Sequence, residues 1–251
     1  RQRLKHIFRI LVGVFVILAA AGGVFYGWNI LSGNYFGTLE QAFDSSEVFT
    51  NALAAKENMR TESFAQKLCV SSKGNVDRIK NAQLEEGQKG LLFSLSNHKV
   101  LYANGIYDKV YPASITKIMT AMLALQSGKL NDTVTITQDN VTLEDGSQVC
   151  GFVAGDQVTL DQLLHCLLVY SGNDAASAIA EYVGGSTENF VQMMNDYAAK
   201  LGCTGTHFSN PHGLQDENHY TTPYDIYLML NEAFTYPEFT EITELPSYTV
   251  T

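Results

Sequence analysis

From Ile10 to Leu39 the chain carries no charged residue, and Ile10 to Trp28 is apolar or glycine throughout. The 19 residues to Trp28, or 22 to Leu31, at about 1.5 Å each, span a hydrocarbon core of roughly 30 Å. Arg1, Arg3, Lys5 and Arg9 precede the run, and the first acid is Glu40. The positive-inside tendency therefore leaves the residues after about 32 outside the membrane, with Tyr26, Trp28 and Tyr35 near the outer interface. A buried core helix is the weakest reading of this segment. A signal peptide cleaved at Ala19-Ala20-Ala21 competes with a retained single-pass anchor. The apolar run continues past the alanines, which favours the anchor, and both readings export the body, either anchored at the membrane or secreted.

The sequence divides into a basic flank (1–9), the anchor or signal (10–31), a polar stalk (32–88) and a body (89–251). At 45% hydrophobic and 17% charged the chain is too apolar to be disordered throughout. It shows neither a glycine triplet nor a sustained heptad. With the four amino-terminal bases set aside, 12 bases face 26 acids, a net charge of −14. Phosphate neutralisation needs Lys and Arg, so nucleic acid is excluded as a partner. Cys69, Cys150, Cys166 and Cys203 allow three pairings, and an oxidising compartment permits any of them. Free buried thiols are equally compatible with the sequence.

Within the body, Leu91–Leu95 and Lys99–Tyr102 read as two strands around a turn at Ser96-Asn97-His98. In YPASITKIMTAMLALQSGKL, Ile115, Ile118, Met119, Met122 and Leu123 recur at helical intervals. Pro112 suits the start of that helix and Gly128 its stop. Val134-Thr135-Ile136 is a short strand candidate. Thr159 and Gln162 form a capping box opening LDQLLHCLLVY. Helices follow from about Asp174 to Gly184-Gly185, from Thr187 to Leu201, and from Pro223 with Thr222 as cap.

Two constellations carry chemistry. Ser114 and Lys117, at i and i+3, share a helix face. Ser114 falls in the first turn, where free N–H groups favour developing negative charge, and a lysine whose pKa is lowered by burial can act as base. The spacing alone is common, since Ser96-Asn97-His98-Lys99 has it inside the hairpin. Ser171-Gly172-Asn173 sits at a junction between helical runs, where both polar side chains can face a cleft; helix capping is the plainer reading. Ser32-Gly33-Asn34 repeats the pattern with nothing to serve. His207, His212 and His219 are spaced by five and seven among Asn210-Pro211 and Gly213, which suits a loop, and no HExxH occurs. No metal site is read from the sequence.

Taken in order, YPASITKIMTAML, SGNDAA, FSNPHGL and HYTT resemble the serine D-alanyl-D-alanine carboxypeptidases, the low-molecular-mass penicillin-binding proteins of bacterial cell walls. The resemblance covers about residues 88–251. It implies the α+β, β-lactamase-like penicillin-recognising fold, with an antiparallel sheet flanked by helices beside an all-helical region. Ser114 then matches the acylated nucleophile and Lys117 its proton acceptor. Ser171 matches a second serine acting as proton relay, and Asn173 the amide that positions substrate and lysine. Pro211-His212-Gly213-Leu214 matches a family marker with no assigned step. The implied partners are peptidoglycan stem peptides ending in D-Ala-D-Ala, with β-lactams as inhibitors and no cofactor. An endopeptidase, a serine β-lactamase or a non-catalytic wall-binding protein of the same fold are the alternatives.

The family's third element, Lys-Thr-Gly on a strand, occurs nowhere in the 251 residues. The chain reads as a fragment that stops before that strand, with an incomplete sheet and little carboxypeptidase activity of its own.

The anchor reading predicts that the expressed protein stays with membranes through high-salt washing, its body accessible from outside. Recovery of a soluble mature form beginning near Gly22 would instead establish cleavage.

Overall fold

Residues 117–126, KIMTAMLALQ, combine unbranched helix formers with apolar positions on nearly every side, the pattern of a helix buried all round. In the computed structural model of the chain, which describes residues 68–78 and 84–250, seven of these ten residues, Met119 to Leu125, are buried, as is Lys117. This helix is the axis of the body. In chain order the elements are β1 (Val76–Asp77), β2 (Gly90–Ser94), β3 (Lys99–Asn104), a 3₁₀ turn (Ala113–Thr116) and α1 (Lys117–Gln126). Then come β4 (Thr133–Thr135), α2 (Gln138–Val141), β5 (Gln157–Thr159), α3 (Leu160–His165) and a π-helical segment (Cys166–Tyr170). Helices α4 (Asn173–Gly184), α5 (Thr187–Leu201), α6 (Pro223–Ala233) and α7 (Pro237–Thr243) complete the body.

Helix ends fall where the capping chemistry puts them. The Thr159 hydroxyl accepts from the Gln162 N–H at 3.1 Å, and Gln162 Oε1 accepts from the Thr159 N–H at 2.8 Å. The two reciprocal bonds fix the start of α3. Ser186 and Thr222 cap α5 and α6 by the single bond, each hydroxyl accepting from the N–H three residues on. The core gathers α1, α3, α4, α5 and α6 around Met119, Met122, Leu163, Ile179, Phe190 and Met194.

Strands β1, β2 and β3 form one antiparallel sheet in the order β1-β3-β2, with a register shift between Leu92 and Phe93. Strands β4 and β5 pair in a second sheet, Val134 opposite Val158. The class is therefore α+β, helices with small antiparallel sheets.

Three details depart from the sequence reading. Ile115 is 43% exposed, because the turn it occupies is 3₁₀, not α, and its threefold period rotates Ile115 off the stripe. The run after His165 widens into a π segment before it breaks. The stalk boundary at 88 also shifts, since residues 68–78 pack on the body. Val76 and Asp77 pair with Ala103 and Tyr102, Cys69 is fully buried, and its N–H donates to Tyr227 Oη at 2.8 Å. Two residues of strand carry too little periodicity to announce themselves. No helix among the described residues is long and apolar enough to cross a membrane, and the run from Ile10 to Leu31 lies outside them.

Docking of the 68–78 segment through that buried hydrogen bond makes Tyr227→Phe costly. The unpartnered Cys69 N–H is expected to lower stability by about 1–3 kcal/mol, measured as a lower denaturant midpoint at unchanged slope. An unchanged midpoint would show that the segment is not held there.

Candidate active site

The amine of Lys117 meets three partners. Its side chain runs inward from the first residue of α1 and is 3% exposed. Nζ lies 2.7 Å from Asn173 Oδ1, 2.9 Å from the carbonyl oxygen of His212 and 3.2 Å from Ser114 Oγ. Burial disfavours the charged form and lowers the Lys117 pKa to about 8. Two of the three partners, an amide oxygen and a backbone carbonyl, can only accept. A neutral amine spends its two N–H bonds on those, which leaves its lone pair directed at the Ser114 hydroxyl, the one neighbour able to donate.

Ser114 itself is exposed, on the 3₁₀ turn one residue after Ala113, whose φ is +47°. The turn is held from behind. Gly213, at φ +91°, packs so closely that a Cβ there would lie 1.9 Å from the Ala113 carbonyl oxygen. Thr116 Oγ1 lies 2.7 Å from His219 Nε2, and the Ser209 N–H donates to His219 Nδ1 at 3.1 Å. Nδ1 is thus the acceptor, so the neutral ring carries its proton on Nε2 and donates to Thr116. Burial, its largest cause, keeps the His219 pKa low, at about 4, consistent with a neutral bridge. Thr120 Oγ1 donates to the Pro211 carbonyl at 2.6 Å. The loop from 209 to 219 therefore clamps both the serine turn and the lysine.

The Ser171-Gly172-Asn173 junction is built just as tightly. The carbonyl of Cys166 receives the N–H of Ser171 and, at 3.1 Å, that of Gly172. Ser171 sits at φ +65°, ψ +36°, a conformation that costs a non-glycine residue of order 1–3 kcal/mol and gathers at functional sites. A Cβ on Gly172 would come within 2.4 Å of Cys150 Sγ, so the central position is closed to other residues. The buried Asp174 carboxylate accepts from the N–H groups of Cys150, Gly151 and Ala175 at 2.9, 3.0 and 2.9 Å. The Asn173 N–H donates to the Gln148 carbonyl at 2.7 Å. The Lys117 amine donates to Asn173 Oδ1, which turns the amide NH₂ away.

Ser114, Lys117 and Ser171 open into one cleft of about 340 Å³, walled by Leu167, Leu168, Phe234 and Phe239. A larger hollow of about 590 Å³, beside Val70–Arg78 and His98–Val100, contains no serine–lysine pair of this kind. The structure thus brings Ser114, Lys117 and Asn173 into one hydrogen-bonded set, with Ser171 on the same cleft wall. The three loop histidines serve hydrogen bonding: His207 to the Asn218 carbonyl, His212 to the Leu214 N–H, and His219 as above. Sequence reasoning gave no role to the carbonyl of His212 or to Thr116 and Asp174. A backbone carbonyl has no side-chain signature, and buried structural acceptors look like any other polar residue.

Residues 77–251 match the D-alanyl-D-alanine carboxypeptidase family, peptidase S11. The carboxypeptidase DacF of Bacillus subtilis is 37% identical over 162 residues, 63% of this chain and 41% of that protein. DacC of Escherichia coli is 40% identical over 149 residues, 55% of this chain and 37% of the relative. The chain therefore spans about two fifths of the curated relatives it matches. Among solved structures, the D-alanyl-D-alanine carboxypeptidase of Mycobacterium tuberculosis H37Rv superposes with a TM-score of 0.63 at 31% identity, over 69% of this chain and 66% of that one. DacD of Francisella tularensis gives 0.61 at 28% identity, over 69% and 43%.

The closeness of Gly213 to the serine turn yields a direct test. Gly213→Ala is expected to destabilise the body by about 2–4 kcal/mol, read as a lower unfolding midpoint. A near-neutral effect would show that the loop does not brace the turn.

Proposed function

The chain belongs to the D-alanyl-D-alanine carboxypeptidase family, and from that membership we propose that its body is the catalytic part of a serine peptidase removing the terminal D-alanine from peptidoglycan stem peptides. The observation that carries this reading is the three-partner environment of Lys117. Ser114 Oγ attacks the carbonyl of the penultimate D-alanine as its proton passes to the lone pair of Lys117 Nζ. D-alanine leaves with a proton, Ser171 relaying it, and water then cleaves the ester on Ser114. Dividing the reaction through a covalent intermediate replaces one difficult step by two easier ones. The NH₂ of Asn173, turned away from the lysine, meets the peptide carbonyl of the substrate. Penicillins acylate the same serine. The run from Ile10 to Leu31 holds this body on the outer face of the bacterial membrane.

The reading is tested with a labelled penicillin on the full-length protein. The label is expected on Ser114 and absent from Ser114→Ala. Lys117→Ala should slow acylation by about 10²–10⁴. Because the lysine must be neutral to accept the proton and its pKa is lowered to about 8, the acylation rate should climb with pH and level off above about 8. A label on Ser171, or a rate already flat from pH 6 upward, overturns the assignment of nucleophile and base.

A further inference from the structure

The fold separates the four cysteines into two isolated thiols and one pair. Cys69 Sγ lies 3.6 Å from the Ser94 carbonyl, and Cys203 Sγ lies 3.6 Å from the Asp225 carbonyl, both buried. Cys150 and Cys166 meet instead: the Cys150 thiol lies 3.9 Å from the Cys166 carbonyl oxygen. Both line one hollow of about 460 Å³, on whose other side lie Tyr248 and its neighbours. Cys150 is only partly covered, so the pair is reachable through that hollow.

We propose that Cys150 and Cys166 form a dithiol redox site that closes to a disulfide by exchange with a small-molecule disulfide, and that closure perturbs the junction presenting Ser171 and Asn173. The second half rests on the functional reading above. The Cys166 carbonyl is the acceptor that holds the Ser171 and Gly172 N–H groups. Cys150 Sγ fills the space beside Gly172, and the Cys150 N–H is tied to Asp174. A sulfur drawn toward Cys166 to bonding distance, about 2.05 Å, leaves its place against Gly172 and shifts the residue next to Ser171.

Cys150, the only one of the two that is not buried, is the thiol an incoming disulfide can reach. As thiolate it attacks one sulfur of the oxidant, expelling a first thiol and leaving a mixed disulfide. Cys166 then gives up its proton and attacks the Cys150 sulfur, and a second thiol departs. Two protein thiols are oxidised and one small-molecule disulfide is reduced to two thiols.

The full chain is equilibrated in glutathione buffers from reducing to oxidising, quenched in acid, alkylated and mapped by mass spectrometry. A single linkage between the peptides holding Cys150 and Cys166 is expected, with Cys69 and Cys203 alkylated only after denaturation. Cys166→Ser should leave the remaining Cys150 thiol as a lasting glutathione adduct. Free thiols at both positions in fully oxidising buffer, or linkage to Cys69 or Cys203, overturn the site. Penicillin acylation of Ser114 should be at least about threefold slower in the oxidised protein, because small misplacements of positioning groups are costly, and dithiothreitol should restore it. Equal rates overturn the coupling to the junction. An absence of label in both redox states would refute the functional reading, while the disulfide map still decides the thiol pair.

Discussion

The fold depends on placing one ammonium-bearing side chain where water barely reaches. Lys117 lies on the core helix and is buried as thoroughly as the leucines around it. An amine in such a place is tolerated only if each hydrogen finds an acceptor and the charge is easily given up. Asn173, the His212 carbonyl and Ser114 meet the first demand, and the lowered pKa meets the second. Each of the three partners comes from a different part of the chain.

Much of the remaining architecture keeps those partners in register. Loop 209–219 supplies the His212 carbonyl and fixes the serine turn through Gly213 and the His219–Thr116 bond. Asp174 and the π segment hold the Ser171 junction against the 150–152 loop. Of the three non-glycine residues at positive φ among the described residues, Ala113 and Ser171 lie at these two points, and His98 lies in the β2–β3 turn. Such conformations persist only where surrounding contacts over-determine them. Ala113 directly precedes Ser114, and Ser171 itself carries the second hydroxyl that faces the cleft.

The amino-terminal edge of the body shows how a short strand is decided. Val76 and Asp77 have no pattern that distinguishes them from a polar spacer. They become a strand because β3 offers an edge and because Tyr227, 158 residues from Cys69, presents its hydroxyl to the Cys69 N–H. Ile115 illustrates the opposite error, an apolar residue that fits a helical stripe by spacing yet lies exposed on a 3₁₀ turn.

Local chemistry alone determined several helices and their starts: the Thr159–Gln162 box, Thr222 before Pro223, and the apolar pattern of α1 can be read from neighbours within four residues. Ser114 and Lys117 were legible for the same reason, since a single turn running into the start of α1 sets an i, i+3 pair. Asn173 was legible only as half of a motif, because nothing local says that its amide oxygen will face a lysine 56 residues away. Which carbonyl would accept from Lys117, which histidine would brace the serine turn, and which two of four cysteines would meet were decided by tertiary packing. Those contacts join residues far apart in the chain, and a hydrogen-bond acceptor on the backbone leaves no trace in the sequence.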